Sequence, residues 1–127
     1  MSVFHLLHRS DLAPSGPRSK QFEGAPYRAG VSFFLVESEP GGPGVRLHRH
    51  PYAETWIVCA GRAAFTVDGQ EAEAGPGDAV VVEAGAPHKF CNAGSELLDL
   101  VCIHAAERMA TEWLEELPDS AAERGAR

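Results

Sequence analysis

Two histidines and one acidic residue, His48, His50 and Glu54, lie close together in the sequence and are the first candidates for chemistry. Side chains alternate between the two faces of a β-strand, so His48 and His50 point the same way. Glu54 shares their parity if the extended register continues through residues 51–52. Two imidazoles and a carboxylate suit Fe, Mn, Ni, Zn or Cu better than Mg²⁺ or Ca²⁺, which prefer oxygen ligands. A His-x-His pair alone is weak evidence, because it is also common on solvent-facing strands.

The glycine spacing around these residues makes the pattern specific, because it resembles the two sequence motifs of the cupin superfamily. The first motif, G(x)5HxH(x)3–4E(x)6G, is met at every position of residues 42–61. The second motif, G(x)5PxG(x)2H(x)3N, is met over residues 77–92, except that Glu83 replaces the proline. That proline stiffens a turn outside the metal shell, so its loss affects the turn more than metal binding.

The resemblance implies a fourth metal ligand, His88, which comes from a distant strand and faces the first three across the barrel. We therefore predict one divalent transition metal per chain, held by His48, His50, Glu54 and His88. Three histidines and one carboxylate would leave two octahedral positions open for water, O₂ or a chelating substrate. Glu54 is the predicted catalytic residue, as a ligand that also takes a proton from the substrate. The alternative is that Glu54 only orients a histidine.

The elements that must position these side chains are predicted to be short strands. Apolar runs separated by Gly and Pro turns recur about every 8–12 residues, which is typical of a sandwich or closed barrel. Asp68-Gly69 indicates a two-residue type I′ hairpin. Together with the resemblance, the pattern predicts an all-β fold, a double-stranded β-helix (jelly-roll) cupin barrel. The predicted strands are 31–37, 55–59, 63–67, 70–73, 79–83, 88–92 and 97–104.

Only Ala105–Leu117 has helical periodicity, because Met109, Trp113 and Leu117 recur every four residues. We predict a short C-terminal α-helix there, packed against the outside of the barrel. Residues 1–118 are expected to form one cupin domain and residues 119–127 a polar disordered tail.

The substrate pocket is expected to have an apolar wall. Strand parity with Glu54 or His88 points several large side chains inward, where they either contact a substrate body or simply fill the core. These predicted pocket residues are Trp56, Val58, Phe65 and Phe90. The remaining histidines have no motif support: His5 and His8 are expected at the surface, and His104 in a capping or dimer contact.

Composition limits the partners and the compartment. The net charge of −7, without any basic cluster, argues against nucleic-acid binding. We see neither a signal peptide nor a transmembrane segment, and three widely spaced cysteines form neither a disulfide framework nor a zinc motif. We therefore expect a cytoplasmic protein without a membrane or nucleic-acid partner, which binds a small molecule and forms a homodimer.

The leading functional interpretation is metal-dependent, oxygenase-like chemistry on a small oxygen-bearing organic molecule, which would make the protein a dioxygenase-type oxidoreductase. Cupins have many functions, so the fold does not determine this one. The first alternative is a non-catalytic module that binds or senses a metal or small ligand. An isomerase or epimerase is a further alternative.

Overall fold

The computed structural model describes residues 3–115, which fold into two facing antiparallel β-sheets. The strands are β1 Ala13–Pro14, β2 Lys20–Phe22, β3 Ser32–Ser38, β4 His48–Arg49, β5 Glu54–Ala60, β6 Ala63–Val67, β7 Gln70–Ala74, β8 Ala79–Val82, β9 His88–Asn92, β10 Leu98–His104 and β11 Glu112–Trp113. One sheet has the strand order β1-β2-β3-β10-β5-β8 and the other the order β11-β4-β9-β6-β7. A 3-10 turn at Arg9–Asp11 precedes β1, and a second at Ala25–Tyr27 lies between β2 and β3. The predicted all-β barrel is confirmed.

The turns form where the sequence places residues that tolerate a positive φ. Asp68 and Gly69 have φ values of 50° and 82°, as a type I′ turn requires, and they join β6 to β7 with Val67 opposite Gln70. Gly61, the last glycine of the first motif, has a φ of 82°. A Cβ there would lie 2.5 Å from the carbonyl oxygen of Leu97, so this turn also needs the space that only glycine leaves.

The core lies between the two sheets and is made by every second side chain. On β5, Trp56 and Val58 are each 1% exposed, whereas Ile57 between them faces outward. On β10, Leu98, Leu100 and Cys102 alternate with more exposed residues in the same way. This period of two is what a sheet with one buried face requires.

The predicted C-terminal helix is wrong within the described residues. From residue 105 the chain instead runs across the barrel as a non-helical strap, defined here as residues 105–115, which bends at residues 105–108 and forms only the short strand β11. β11 pairs with β4, placing Trp113 opposite His48, and the Leu114 N–H donates to the carbonyl oxygen of Leu47. The strap's backbone groups therefore bond to the barrel, which competes with helical hydrogen bonding. Leu117, the predicted domain end at residue 118 and the predicted tail lie outside the described residues.

Within residues 3–115, no helix is long and apolar enough to cross a membrane.

Candidate metal centre

The four predicted ligands come together at one end of the barrel. His48 lies on β4 directly opposite His88 at the start of β9, His50 follows β4, and Glu54 begins β5. All four side chains are buried, and their ligand atoms lie within 4.8 Å of one another. The group draws on strands from both sheets, so it exists only in the folded barrel.

Each of the three imidazole rings is held by a backbone carbonyl through its Nδ1 atom. A carbonyl oxygen only accepts, so Nδ1 must carry the proton and Nε2 must present its lone pair. The Nδ1–O distances are 2.6 Å for His48 to Arg46, 2.7 Å for His50 to Ala110 and 2.8 Å for His88 to Ala86. All three rings are thereby set in the tautomer that a metal ligand requires.

The lone pairs of His50 and His88 face an oxygen that cannot donate to them. Oε1 of Glu54 lies 3.2 Å from Nε2 of His50 and 2.9 Å from Nε2 of His88. Among the described residues these three buried atoms have no hydrogen-bond partner. Three acceptors converging without a hydrogen between them are costly to bury, and a shared cation would satisfy all of them. The donor set of three nitrogens and a carboxylate oxygen therefore fits a divalent transition metal.

The ionisation of the group agrees with this arrangement. Burial would raise the pKa of Glu54, but hydrogen bonding to its carboxylate, above all from His104, outweighs burial and holds the pKa well below its usual range. Burial lowers the pKa of His48 to about 4, despite its bond to the Arg46 carbonyl. At neutral pH the carboxylate is charged and His48 is neutral, and these are the forms that bind a metal.

The second oxygen of Glu54 has different neighbours, which sequence analysis does not reveal. Trp56 donates its indole N–H to Oε2 at 2.9 Å, and Nε2 of His104 lies 3.2 Å from the same oxygen. The Tyr52 hydroxyl lies 2.6 Å from Nδ1 of His104, and burial raises the pKa of Tyr52, so the phenol keeps its proton. His104 is 2% exposed and lines the centre rather than a cap or a surface. His104 lies an even number of residues after the buried Leu98, Leu100 and Cys102 of β10, and this spacing could have predicted that its side chain faces inward.

A cavity of about 640 Å³ opens next to the candidate ligands. Of the four predicted pocket residues only Phe90 lines it, together with Phe34, Val36 and Val45. Trp56 and Val58 do not line the cavity, because both are buried in the core between the sheets. Phe65 lines a separate groove between β6, β7 and β9.

The strap closes one side of this cavity with Thr111 and Trp113. The helix prediction had placed these residues in a helix on the outside of the barrel. Trp113 lies over the ring of His48, with centroids 5.0 Å apart, and the Arg46 guanidinium lies 4.1 Å from the Trp113 ring centroid. Thr111 places its hydroxyl 3.3 Å from Nδ1 of His50. Among the described residues Arg46 is the only Lys or Arg that lines the cavity. The exposed His5 and His8 are not part of the centre.

Comparison with known proteins gives one family and two groups of relatives. A family model described as a cupin domain matches residues 34–104. The mannose-1-phosphate guanylyltransferases of Escherichia coli K12 and Salmonella typhimurium LT2 are 33% and 32% identical to the chain over 98 residues. These matches cover 76% of this chain but 20% and 19% of the two enzymes. The chain therefore spans about a fifth of the length of these relatives.

Similar solved structures include oxalate decarboxylases. The enzyme from Lactobacillus farciminis, in a formate complex, has a TM-score of 0.74 and 25% identity, over 84% of this chain and 35% of that chain. The enzyme from Bacillus subtilis at pH 4.6 has a TM-score of 0.71 and 23% identity, over 92% of this chain and 34% of that chain. The chain covers about a third of each of these proteins.

Proposed function

The chain belongs to the cupin family, and we propose that it holds one divalent transition metal for oxygenase-type chemistry on a small oxygen-bearing molecule. The proposed metal ligands are His48, His50, Glu54 and His88. The observation that carries the proposal is the convergence of three unpartnered buried acceptors, Nε2 of His50, Nε2 of His88 and Oε1 of Glu54, among the described residues. A structural role for these side chains would leave each acceptor with a donor.

The cavity supports a substrate with an apolar body and an oxygen-bearing head. Phe34, Val36 and Phe90 supply an apolar wall, while three of the four candidate ligands line the same cavity. A volume of about 640 Å³ is within the range of small-molecule sites. When bound, the metal would supply a Lewis-acid and redox centre beside that cavity.

Within this proposal Glu54 is the residue that receives a proton from the substrate. Oε2 is occupied by the N–H of Trp56 and by His104, so Oε1, the oxygen proposed to bind the metal, is also the one that must receive the substrate proton. The lowered pKa keeps Glu54 ionised, as a proton acceptor must be, and also limits its strength as a base. Glu54 is therefore suited to a substrate whose acidity is already raised.

A second candidate is decarboxylation of a small carboxylic acid, and Arg46 is the observation that favours it. A single guanidinium, in a cavity otherwise lined by uncharged side chains and the candidate ligands, can pair with a carboxylate. The structural neighbours are oxalate decarboxylases, and one structure of the Bacillus subtilis enzyme concerns its Mn(II) centres. Mn(II) is therefore the first metal to test beside Fe(II).

The experiment that separates these functions uses protein loaded in turn with Fe(II) and Mn(II). O₂ uptake is measured with phenolic and diketone substrates, and CO₂ release is measured without O₂ for small carboxylates. Metal-dependent O₂ uptake that is absent in His88→Ala and retained in the exposed His8→Ala supports the oxygenase. Anaerobic CO₂ release supports the second candidate. Ligand binding without either product would indicate a binding module and contradict both activities.

A further inference from the structure

The two oxygens of Glu54 lie in opposite electrostatic surroundings. Oε1 faces the lone pairs of His50 and His88, whereas Oε2 faces the N–H group of Trp56 and the ring of His104. A carboxylate that was free to rotate would exchange its oxygens between these surroundings. The two oxygens therefore keep different surroundings only if neighbouring groups hold Oε2 in place.

The proton positions around His104 follow from its neighbours. The Ala110 N–H donates to the Tyr52 hydroxyl oxygen at 3.1 Å, so that oxygen already accepts one bond. The Tyr52 hydroxyl hydrogen is then free to point at Nδ1 of His104, 2.6 Å away. With Nδ1 accepting, the proton of the neutral ring is on Nε2, which lies 3.2 Å from Oε2 of Glu54. The Ala110 N–H, the Tyr52 O–H and the His104 Nε2–H therefore each face one acceptor.

The opposite tautomer of His104 would be unfavourable. Its Nε2 lone pair would then face a charged oxygen in a place where both residues are 3% exposed or less. Water compensates little for that repulsion, because both side chains are almost fully removed from it. The ring also has little room to turn away, because the rings of His50 and Phe34 lie 4.6 and 5.4 Å from it.

We propose that His104, oriented by Tyr52, is a positioning residue that holds Oε2 of Glu54 so that only Oε1 is offered to the metal. The inference rests on the proposed metal site. Trp56 donates to Oε2, and Nε2 of His104 lies 3.2 Å from the same oxygen, so both side chains oppose rotation of the carboxylate and metal binding through both oxygens. One-oxygen binding leaves one more coordination position for a substrate atom. This role is distinct from that of the four ligands, since His104 is not in the group of atoms lying within 4.8 Å of one another.

The test compares variants that keep or remove the donor. His104→Gln retains an amide N–H, His104→Leu has no donor, and Tyr52→Phe removes the hydroxyl that faces Nδ1 of the ring and also accepts the Ala110 N–H. His8→Leu is the matched control, because His8 is an exposed histidine. Co(II) affinity is measured by competition with a chromophoric chelator, and the Co(II) absorption spectrum reports the coordination of the loaded protein.

We expect His104→Leu to weaken Co(II) binding by about 10–100-fold and to change the absorption spectrum, as loss of a bond to a ligand does. His104→Gln should restore most of the affinity and the parent spectrum, Tyr52→Phe should lie between, and the control should match the parent. If His104→Leu does not fold, Tyr52→Phe decides the question, because it removes a single oxygen atom.

The outcomes separate the inference from its premise. Parent affinity and spectrum in both His104→Leu and Tyr52→Phe would overturn the positioning role while leaving the metal site intact. Weakened affinity in every variant, with no rescue by His104→Gln and an unchanged spectrum, would indicate packing alone and would also overturn it. A parent protein that binds no Co(II) would instead contradict the proposed metal site, and the inference would fall with it.

Discussion

Replacing Glu54 by Gln should stabilise the metal-free protein while weakening its metal binding. The amide oxygen can stay on the side of Oε2, where it accepts from Trp56 and His104. The NH₂ group then lies on the side of Oε1, where its two hydrogens meet the Nε2 lone pairs of His50 and His88 at about the present 3.2 and 2.9 Å. One substitution thereby supplies donors to acceptors that have none.

The change in the free energy of unfolding follows from counting the buried atoms that gain or lose a hydrogen bond in the variant. Three buried unpartnered acceptors are relieved in the variant, each worth at least about 1 kcal/mol. Against this, the bonds from Trp56 and His104 lose their charge assistance, which costs about 1 kcal/mol each. The relief exceeds the cost, so the free energy of unfolding should rise by about 1 kcal/mol or more. For a chain of this size that corresponds to a Tm increase of about 4 °C or more.

The assay is thermal unfolding of the metal-free protein with a chelator present at about pH 8.5, well above the ordinary pKa of imidazole. Glu83→Gln, at an exposed position, is the matched control and should leave Tm unchanged. A lower Tm in Glu54→Gln than in the parent would contradict this prediction, because it would mean that His50 or His88 already donates a proton to Glu54. Metal affinity, measured separately, should fall in the variant.

Three further predictions concern the ionisation, the turns and the assembly of the barrel. The pKa of His48 is about 4 in the folded protein and about 6.5 in an unfolded chain, so only the unfolded chain takes up this proton between those values. The stability of the metal-free protein should therefore fall as pH drops from 6.5 to 4. Urea unfolding followed across that range measures this fall, and a flat profile would contradict the prediction. Gly61→Ala should lower the free energy of unfolding by more than about 1 kcal/mol, and by more than Gly69→Ala does. Both glycines have a φ of 82°, but only at Gly61 would the new Cβ meet backbone atoms. Equal losses of stability in the two variants would show that the close approach at Gly61 does not matter. The homodimer stays a prediction: light scattering should give twice the 13.6 kDa of one chain at micromolar concentration, and a monomer mass would exclude it.

The features that could be predicted from the sequence are those with a local or motif signature. The hairpin at Asp68-Gly69 forms because both residues tolerate positive φ, and the predicted strands over 63–67 and 88–92 match β6 and β9. The cupin resemblance is confirmed by the family match, and it connected His88 with Glu54 although they lie far apart in the chain. Only the motif links these two residues, because no local pattern reaches from one to the other.

The features that could not be predicted depend on contacts made after folding. Met109 and Trp113 have helical spacing, yet the strap is not helical because its backbone bonds to Leu47, His50 and Tyr52 on the barrel. A helix propensity does not include partners that lie about 60 positions away in the chain. The same limit hid the role of His104, since its contact with Glu54 joins the end of β10 to the start of β5.

Strand parity predicted which face of the sheet a side chain occupies, but not whether it lies in the core or along the cavity. Trp56 and Val58 point inward as predicted, yet both lie in the core rather than along the cavity. Parity separates the two faces of a sheet, whereas the distance from the open end of the barrel depends on how the sheets pack. The pocket residues were therefore less predictable than the convergence of the four candidate ligands.

The metal content of the purified protein decides whether the proposed centre exists. It is measured by elemental mass spectrometry after loading and removal of free metal. We expect close to one divalent transition metal per chain in the parent, almost none in His50→Ala or His88→Ala, and parent content in the exposed His8→Ala. A parent without bound metal, or a metal content that both ligand variants keep, would contradict the proposed centre.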